Sequence, residues 1–477
     1  MSHDSSRWLT AVGVLALLVS GLVADRAVGH GRAAATSAPG PGIPTVAPAG
    51  ALSSTWYCPA GTAVPNGLAD GRIVLANPGD GDLTGTLTVV PSQGQPKSQT
   101  VRVPSRARLA FRPGDMVRAP YAAAIVQLDG PTGAVEEQIR GGLGEGVAPC
   151  ATRASERWYF AAGSTNAGDQ MLLSLFNPYP GDAIVDMDFA TDTGRATPAD
   201  LQGVVVPGGG LTVIDVGQHV RRRQIVSAAV TARSGRIVAD KIQLQGEDNA
   251  PLKGVTLVLG DPAAASLWYF PDGVTAPGVD ERYEFFNPGD QEADVQLALI
   301  LDRGSADPFD VTVAPHDRFT LDVNGENRIP RGVAHAGVVT SSNGAPVVVE
   351  RVVTAVAPSS RLGFTELMGS PSASTAWLFP VGAANTSQDE WLVAYNPGSG
   401  VSHVSVTALL GGRAVPVDGL GNVEIEPSQR VAVRLGDHLS RGDLVLSVSA
   451  DAPVVVERDL YRIGGLGMSA SLGIPGP

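Results

Sequence analysis

Four places in the chain put an acidic side chain next to a longer polar one inside an apolar run: Glu137-Gln138, Asp240-Lys241, Glu350-Arg351 in PVVVERVVTAV and Glu457-Arg458 in PVVVERDLY. Successive side chains of a strand point to opposite faces, so one member of each pair must enter the packed side. A buried charge is costly unless it is paired or hydrogen-bonded. Two chemistries fit such carboxylates. They could form a site, as when two carboxyl groups flank a glycosidic bond, or each could accept hydrogen bonds from its own repeat, including from the Asn-Pro turns described below. Fourfold occurrence favours the second, because repetition serves architecture more readily than catalysis.

Other reactive constellations are missing. The seven histidines, at positions 3, 30, 219, 316, 335, 403 and 438, are dispersed, with no HExxH or paired-ligand spacing. There is no G-x-S-x-G elbow, no GxxxxGK[ST] loop and no G-x-G-x-x-G opening a helix. Asp80/Asp82 and Asp186/Asp188/Asp192 do not fit the calcium loop with its terminal glutamate and read as solvated turns. No catalytic, cofactor-binding or metal-binding residue is assigned. The two cysteines, Cys58 and Cys150, bracket one repeat. Read as a disulfide, they make the first and last strands of that repeat neighbours and place the chain in an oxidising, exported compartment.

The elements that position these residues recur with a period of about a hundred. Trp56, Trp158, Trp268 and Trp377 open four units at steps of 102, 110 and 109 residues, in WYCP, WYFA, WYFP and WLFP, each with a glycine close behind. Asn-Pro follows at Asn77, Asn177, Asn287 and Asn396, which are 21, 19, 19 and 19 residues after the tryptophans. The acidic markers Glu137, Asp240, Glu350 and Glu457 come 60, 63, 63 and 61 residues after the asparagines. The local pattern is β: runs such as RIVLA and RYEFF end in Asn-Pro-Gly, a type II turn signature, and period-2 runs such as ADVQLALI follow. About seven or eight such strands per unit predict an all-β chain of four tandem immunoglobulin-like β-sandwich repeats, over 55–155, 156–265, 266–374 and 375–477. A β-propeller-like arrangement is the alternative. The tryptophans, at fixed register beside further aromatics, read as core or inter-repeat packing rather than as sugar platforms.

Ahead of the repeats, Trp8 to Ala24 runs 17 residues without a charge, close to the lower limit of about 17 for a spanning helix and longer than the core of ~7–15 in a cleaved signal. Cleavage after Ala24 would place Leu22 where a small residue is needed, so residues 1–24 read as a retained anchor, with secretion after cleavage as the alternative. Residues 25–54, rich in Ala, Gly, Pro and Ser with no apolar period, read as a linker spanning on the order of 30 Å. With 47 acidic against 34 basic residues the formal charge is −13, which excludes the phosphate-neutralising surface of a nucleic-acid binder.

The single apolar segment, the Ala/Pro linker, the WYFPxG openings, the Asn-Pro turns and the PVVVER strand resemble a group of uncharacterised actinobacterial envelope proteins classed as a domain of unknown function. Three lysines against thirty-one arginines fit a high-GC source of that kind. The resemblance carries no catalytic residue over, and it implies a role around envelope glycan assembly beside a membrane glycosyltransferase. The expected function is a non-enzymatic, membrane-tethered extracytoplasmic scaffold or binding protein with a glycan or glycosyltransferase partner. A glycan-active enzyme using a carboxylate pair is the alternative.

Overall fold

Asn77 shows how the local sequence builds each unit. Its backbone ends a strand, Pro78 turns the chain, and its side chain ties the turn down: Oδ1 accepts from Gly79 N at 3.0 Å while Nδ2 donates to Gly81 O at 2.8 Å and to Val103 O at 3.1 Å. Beyond the turn, alternate residues of LTGTLTVVP point inward. Repetition of this scheme produces an all-β, antiparallel chain with several open sheets in a computed structural model that describes residues 42–246 and 252–476. The expected anchor at 8–24 lies outside those residues, and among them no helix is long and apolar enough to cross a membrane.

Repeat 1 contains β1 (Ser54–Cys58), β2 (Asp70–Asn77), β3 (Leu83–Pro91), β4 (Lys97–Val103), β5 (Ala107–Phe111), β6 (Ala122–Leu128), β7 (Ala134–Gly141) and β8 (Gly144–Pro149). They form two sheets ordered β1-β6-β3-β4 and β5-β2-β7-β8. Trp56, Leu87 and Val126 from one sheet share a core with Ile73, Leu75 and Val135 from the other. The other three repeats follow the same order, except that the fourth strand is split in two in repeats 2 and 4, and that in repeat 4 the sixth and seventh strands run together as Leu446–Arg462, while Ile474–Pro475 pairs with the first strand. Each unit is thus two stacked sheets, but not in immunoglobulin order: there the first strand lies beside the second, whereas β1 lies beside β6. The size and strand count of the unit are the same for both arrangements, so spacing could not separate them.

The last strands of the four units meet. β8 packs on Gly254–Leu259, which packs on Gly363–Met368, which packs on Met468–Leu472, which returns to β8. Cross-links bridge these axial strands: Val147 N to Ser469 Oγ (3.0 Å), Ala470 N to Thr365 Oγ1 (2.8 Å) and Glu366 N to Thr256 Oγ1 (3.3 Å). The approach is close enough that a Cβ on Gly146 would stand 2.6 Å from Leu257 N. The repeats therefore close into a ring. That cyclic order is shared with the propeller alternative, but here each member is a double-sheet unit rather than a single blade.

The stretch 42–46 lies within residues 25–54, expected to be a linker, and here the structure corrects that reading. Pro44 and Val46 are buried, Val46 N donates to Pro475 O at 3.0 Å, and Gly42-Ile43-Pro44 lies across one mouth of the ring axis over a cavity of about 60 Å³ lined by Val147, Leu257, Leu259, Leu367 and Leu472. A short Ile-Pro-Thr-Val run suffices because the axial mouth supplies the apolar partner.

Candidate functional site

Register fixes the equivalence of the charged markers. Val348, Val238, Val455 and Ala134 stand opposite the residue preceding Asn-Pro in their repeats. Counting two residues on, the acidic position is Glu350, Asp240, Glu457 and, in repeat 1, Glu136. Glu137, expected from the spacing, is one residue beyond this position, because two adjacent glutamates and a shorter separation from Asn77 leave the spacing undecided. The following position is then Arg351, Lys241, Arg458 and Glu137.

These residues join neighbouring repeats, which corrects the expectation that each carboxylate is satisfied within its own. Glu350 of repeat 3 accepts from Lys241 Nζ of repeat 2 at 2.8 Å and from Ala161 N at 2.7 Å. Glu457 of repeat 4 accepts from Asp272 N of repeat 3 at 3.3 Å and takes both terminal nitrogens of Arg351. Glu136 of repeat 1 accepts from Arg458 of repeat 4 at 3.1 and 3.2 Å and from Val381 N at 2.7 Å. All six side chains are buried. The asparagines do not touch the carboxylates: each is spent on its own turn, as Asn177, Asn287 and Asn396 repeat the bonds of Asn77.

Burial sets the electrostatics of these seams. It raises the Glu457 carboxyl, and Arg351 pulls against it. Burial alone would lower the Lys241 ammonium, but Glu350 and Glu366, the latter at 3.0 Å, more than reverse this and hold it above its usual value. Asp459, beside Glu457 in the same seam, is pushed well up by burial and by that neighbour. Such groups are locked in pairs and packed beneath rings, as Lys241 is against Phe160 at 5.6 Å and Arg458 against Phe379 at 5.4 Å.

The tryptophans are buried in the cores, and three donate Nε1 to the backbone: Trp158 to Ile237 O (2.7 Å), Trp268 to Val347 O (2.9 Å) and Trp377 to Val454 O (3.0 Å). Trp56 Nε1 finds no acceptor among the described residues. The tyrosine after each of the first three tryptophans reaches forward to the next repeat: Tyr57 to Phe176, Tyr159 to Phe286 and Tyr269 to Tyr395, with ring centroids 6.4, 6.4 and 6.0 Å apart.

Cys58 and Cys150 are bonded, with Cα atoms 4.7 Å apart, and Tyr57 and Ala151 exchange backbone bonds beside them. In the other repeats the same two places hold a phenylalanine ring lying on a glycine: Phe160 on Gly260, Phe270 on Gly369 and Phe379 on Gly473. A side chain at the glycine would strike the ring. The signal in the sequence is a Phe and a Gly about as far apart as the two cysteines.

Outside the seams, an open groove of about 710 Å³ carries Asp169, Asp215, Arg221 and Arg222. Its carboxylates hold turns: Asp169 accepts from Ser164 Oγ and Gly246 N, and Asp215 accepts from Gly217 N and Gln170 Nε2. Among the described residues no group of three or more His, Cys, Asp or Glu side chains could hold a metal ion.

Residues 130–361 match a family of unknown function (DUF5719). The match runs from the end of repeat 1 through most of repeat 3 and covers just under half of the chain. No curated protein matches the chain. Among solved structures, the chain is similar to a Thermotoga maritima protein, 1070, at 20% identity over 22% of this chain and 93% of that one, with a TM-score of 0.21. It is also similar to the Anabaena sensory rhodopsin transducer, at 25% identity over 18% and 80%, with a TM-score of 0.17.

Proposed function

We propose that the protein is a non-enzymatic, membrane-tethered extracytoplasmic scaffold or binding protein of the cell envelope, associated with glycan assembly, whose four immunoglobulin-sized sandwiches form one rigid ring. The observation that carries this reading is that the repeated carboxylates are consumed in bonds between neighbouring repeats. A carboxylate pair that hydrolyses a glycoside must face substrate and water across ~5–9.5 Å. Glu350, Glu457 and Glu136 face a lysine or an arginine in a dry seam, and Asp240 faces Glu137 in a seam where both carboxyls are buried away from any substrate. The disulfide agrees with an exported location, and the apolar run 8–24 would supply the tether.

The test is co-purification of the full chain from envelope membranes of its host, with identification of the bound proteins and glycans, alongside incubation of the purified chain with the same glycans. Capture of a glycan or a membrane glycosyltransferase without turnover supports the scaffold. Turnover that disappears on Asp215→Asn or Asp169→Asn would replace it with an enzyme.

A further inference from the structure

The seam between repeats 1 and 2 differs from the other three. Where repeats 2, 3 and 4 place Lys241, Arg351 and Arg458, repeat 1 places Glu137, and the carboxyl it meets across the seam is Asp240 of repeat 2. Both side chains are buried. Ala60 N, from the stretch after β1, donates to Glu137 Oε2 at 3.1 Å, and among the described residues no other donor reaches either carboxyl. The cross-strand neighbours are Ile73 of β2 and Ala148 of β8 for Glu137, and Ser174 and Leu259 for Asp240. None of these is charged or titrates, and among the described residues no charged group other than the two carboxyls themselves is found to act on either of them. Two buried carboxyls can hydrogen-bond only with a proton between them.

We propose that a proton shared by Glu137 and Asp240 closes this seam in place of a side-chain cation, making it the pH-sensitive joint of the ring. Burial holds Glu137 up at about 7 and, with Glu137 beside it, holds Asp240 well above the usual carboxylate range. The closed seam therefore keeps protons that an open, hydrated one releases. Closure is complete below the ordinary carboxylate pKa of about 4 and weakens as pH rises through about 7. Each proton released on opening makes opening about tenfold easier per pH unit in that window. The other three seams have a cation that opposes this effect.

The experiment is hydrogen exchange on the full chain between pH 5 and pH 7, corrected for the intrinsic rate, read at the seam amide of Ala60 and at its counterparts Asp272 and Val381. The expected result is opening at Ala60 that rises by about fiftyfold or more over those two pH units, steeper than at the counterparts. Glu137→Gln should flatten it to less than about tenfold. Glu137→Arg, which copies the other seams, should protect Ala60 at pH 7. If the arginine variant does not fold, the glutamine comparison still decides. A flat response in the unaltered chain, or an unaltered slope in Glu137→Gln, overturns the proposal. Protection at pH 6 that requires added calcium chloride would assign the seam to a metal ion and overturn it as well.

Discussion

Arg458→Met is the sharpest perturbation of the seam between repeats 4 and 1. The guanidinium donates twice to Glu136, at 3.1 and 3.2 Å, once to Ser471 Oγ at 2.5 Å and once to Val381 O, and lies against the Phe379 ring. Methionine keeps the aliphatic volume and removes the charge. Glu136 is then left in a dry site with Val381 N as its donor, and breaking one partner out of a buried pair costs about 3–5 kcal/mol. Adding Glu136→Gln removes the orphaned charge, so the double variant should regain at least ~2 kcal/mol over Arg458→Met alone. The assay is urea unfolding followed by tryptophan fluorescence, because each repeat buries one reporter. A cost below ~1 kcal/mol for Arg458→Met, or additive losses in the double variant, would refute the claim that these residues hold the two repeats together.

Replacing Cys58 and Cys150 by alanine opens a loop closed across 92 residues and should cost about 4–5 kcal/mol of thermal or urea stability; Cys58→Phe with Cys150→Gly, which copies the other repeats, should lose less than the alanine pair. Asn287→Ala strands Gln291 O, Val313 O and Gly289 N and should cost about 1–3 kcal/mol, and Asn287→Asp, lacking both donors, should not rescue it. Burial raises Glu390 to about 8, so the folded chain keeps a proton there that the unfolded chain loses, and stability falls as pH rises from the carboxylate range through about 8. Glu390→Gln should therefore be more stable than the unaltered chain at pH 8.5 and show a flatter melting temperature between pH 5 and pH 8.5. Glu281, at the same place in repeat 3, feels the same burial but has His335 at 3.0 Å, which lowers it, so Glu281→Gln should not gain stability at high pH.

The markers that repeat in sequence are those whose partners sit in the same repeat or in the same place on the next one. Trp158, Trp268 and Trp377, the Asn-Pro turns and the cysteine pair were legible because turn chemistry and a constant interval reveal local roles. Partner identity across seams was not legible. Glu350 and Lys241 lie 109 residues apart, and nothing in the pattern PVVVER says whether its carboxylate turns to its own repeat or to the one before. The order of strands within a sandwich escaped for a related reason, since β1 beside β6 and β1 beside β2 need the same alternation. The glutamate doublet in repeat 1 hid the one seam that lacks a cation, because the register that separates Glu136 from Glu137 is set by pairing with β2 rather than by distance from Asn77.

Small-angle X-ray scattering on residues 42–477 tests the closed ring most directly. A compact chain of this length has a radius of gyration of about 22 Å, against about 13 Å for a single unit of ~105 residues. The ring predicts a value within a few ångströms of the first figure, unchanged on dilution. Four units strung end to end would exceed ~35 Å, and a value in that range would contradict the bonds between repeats 1 and 4 on which the account rests.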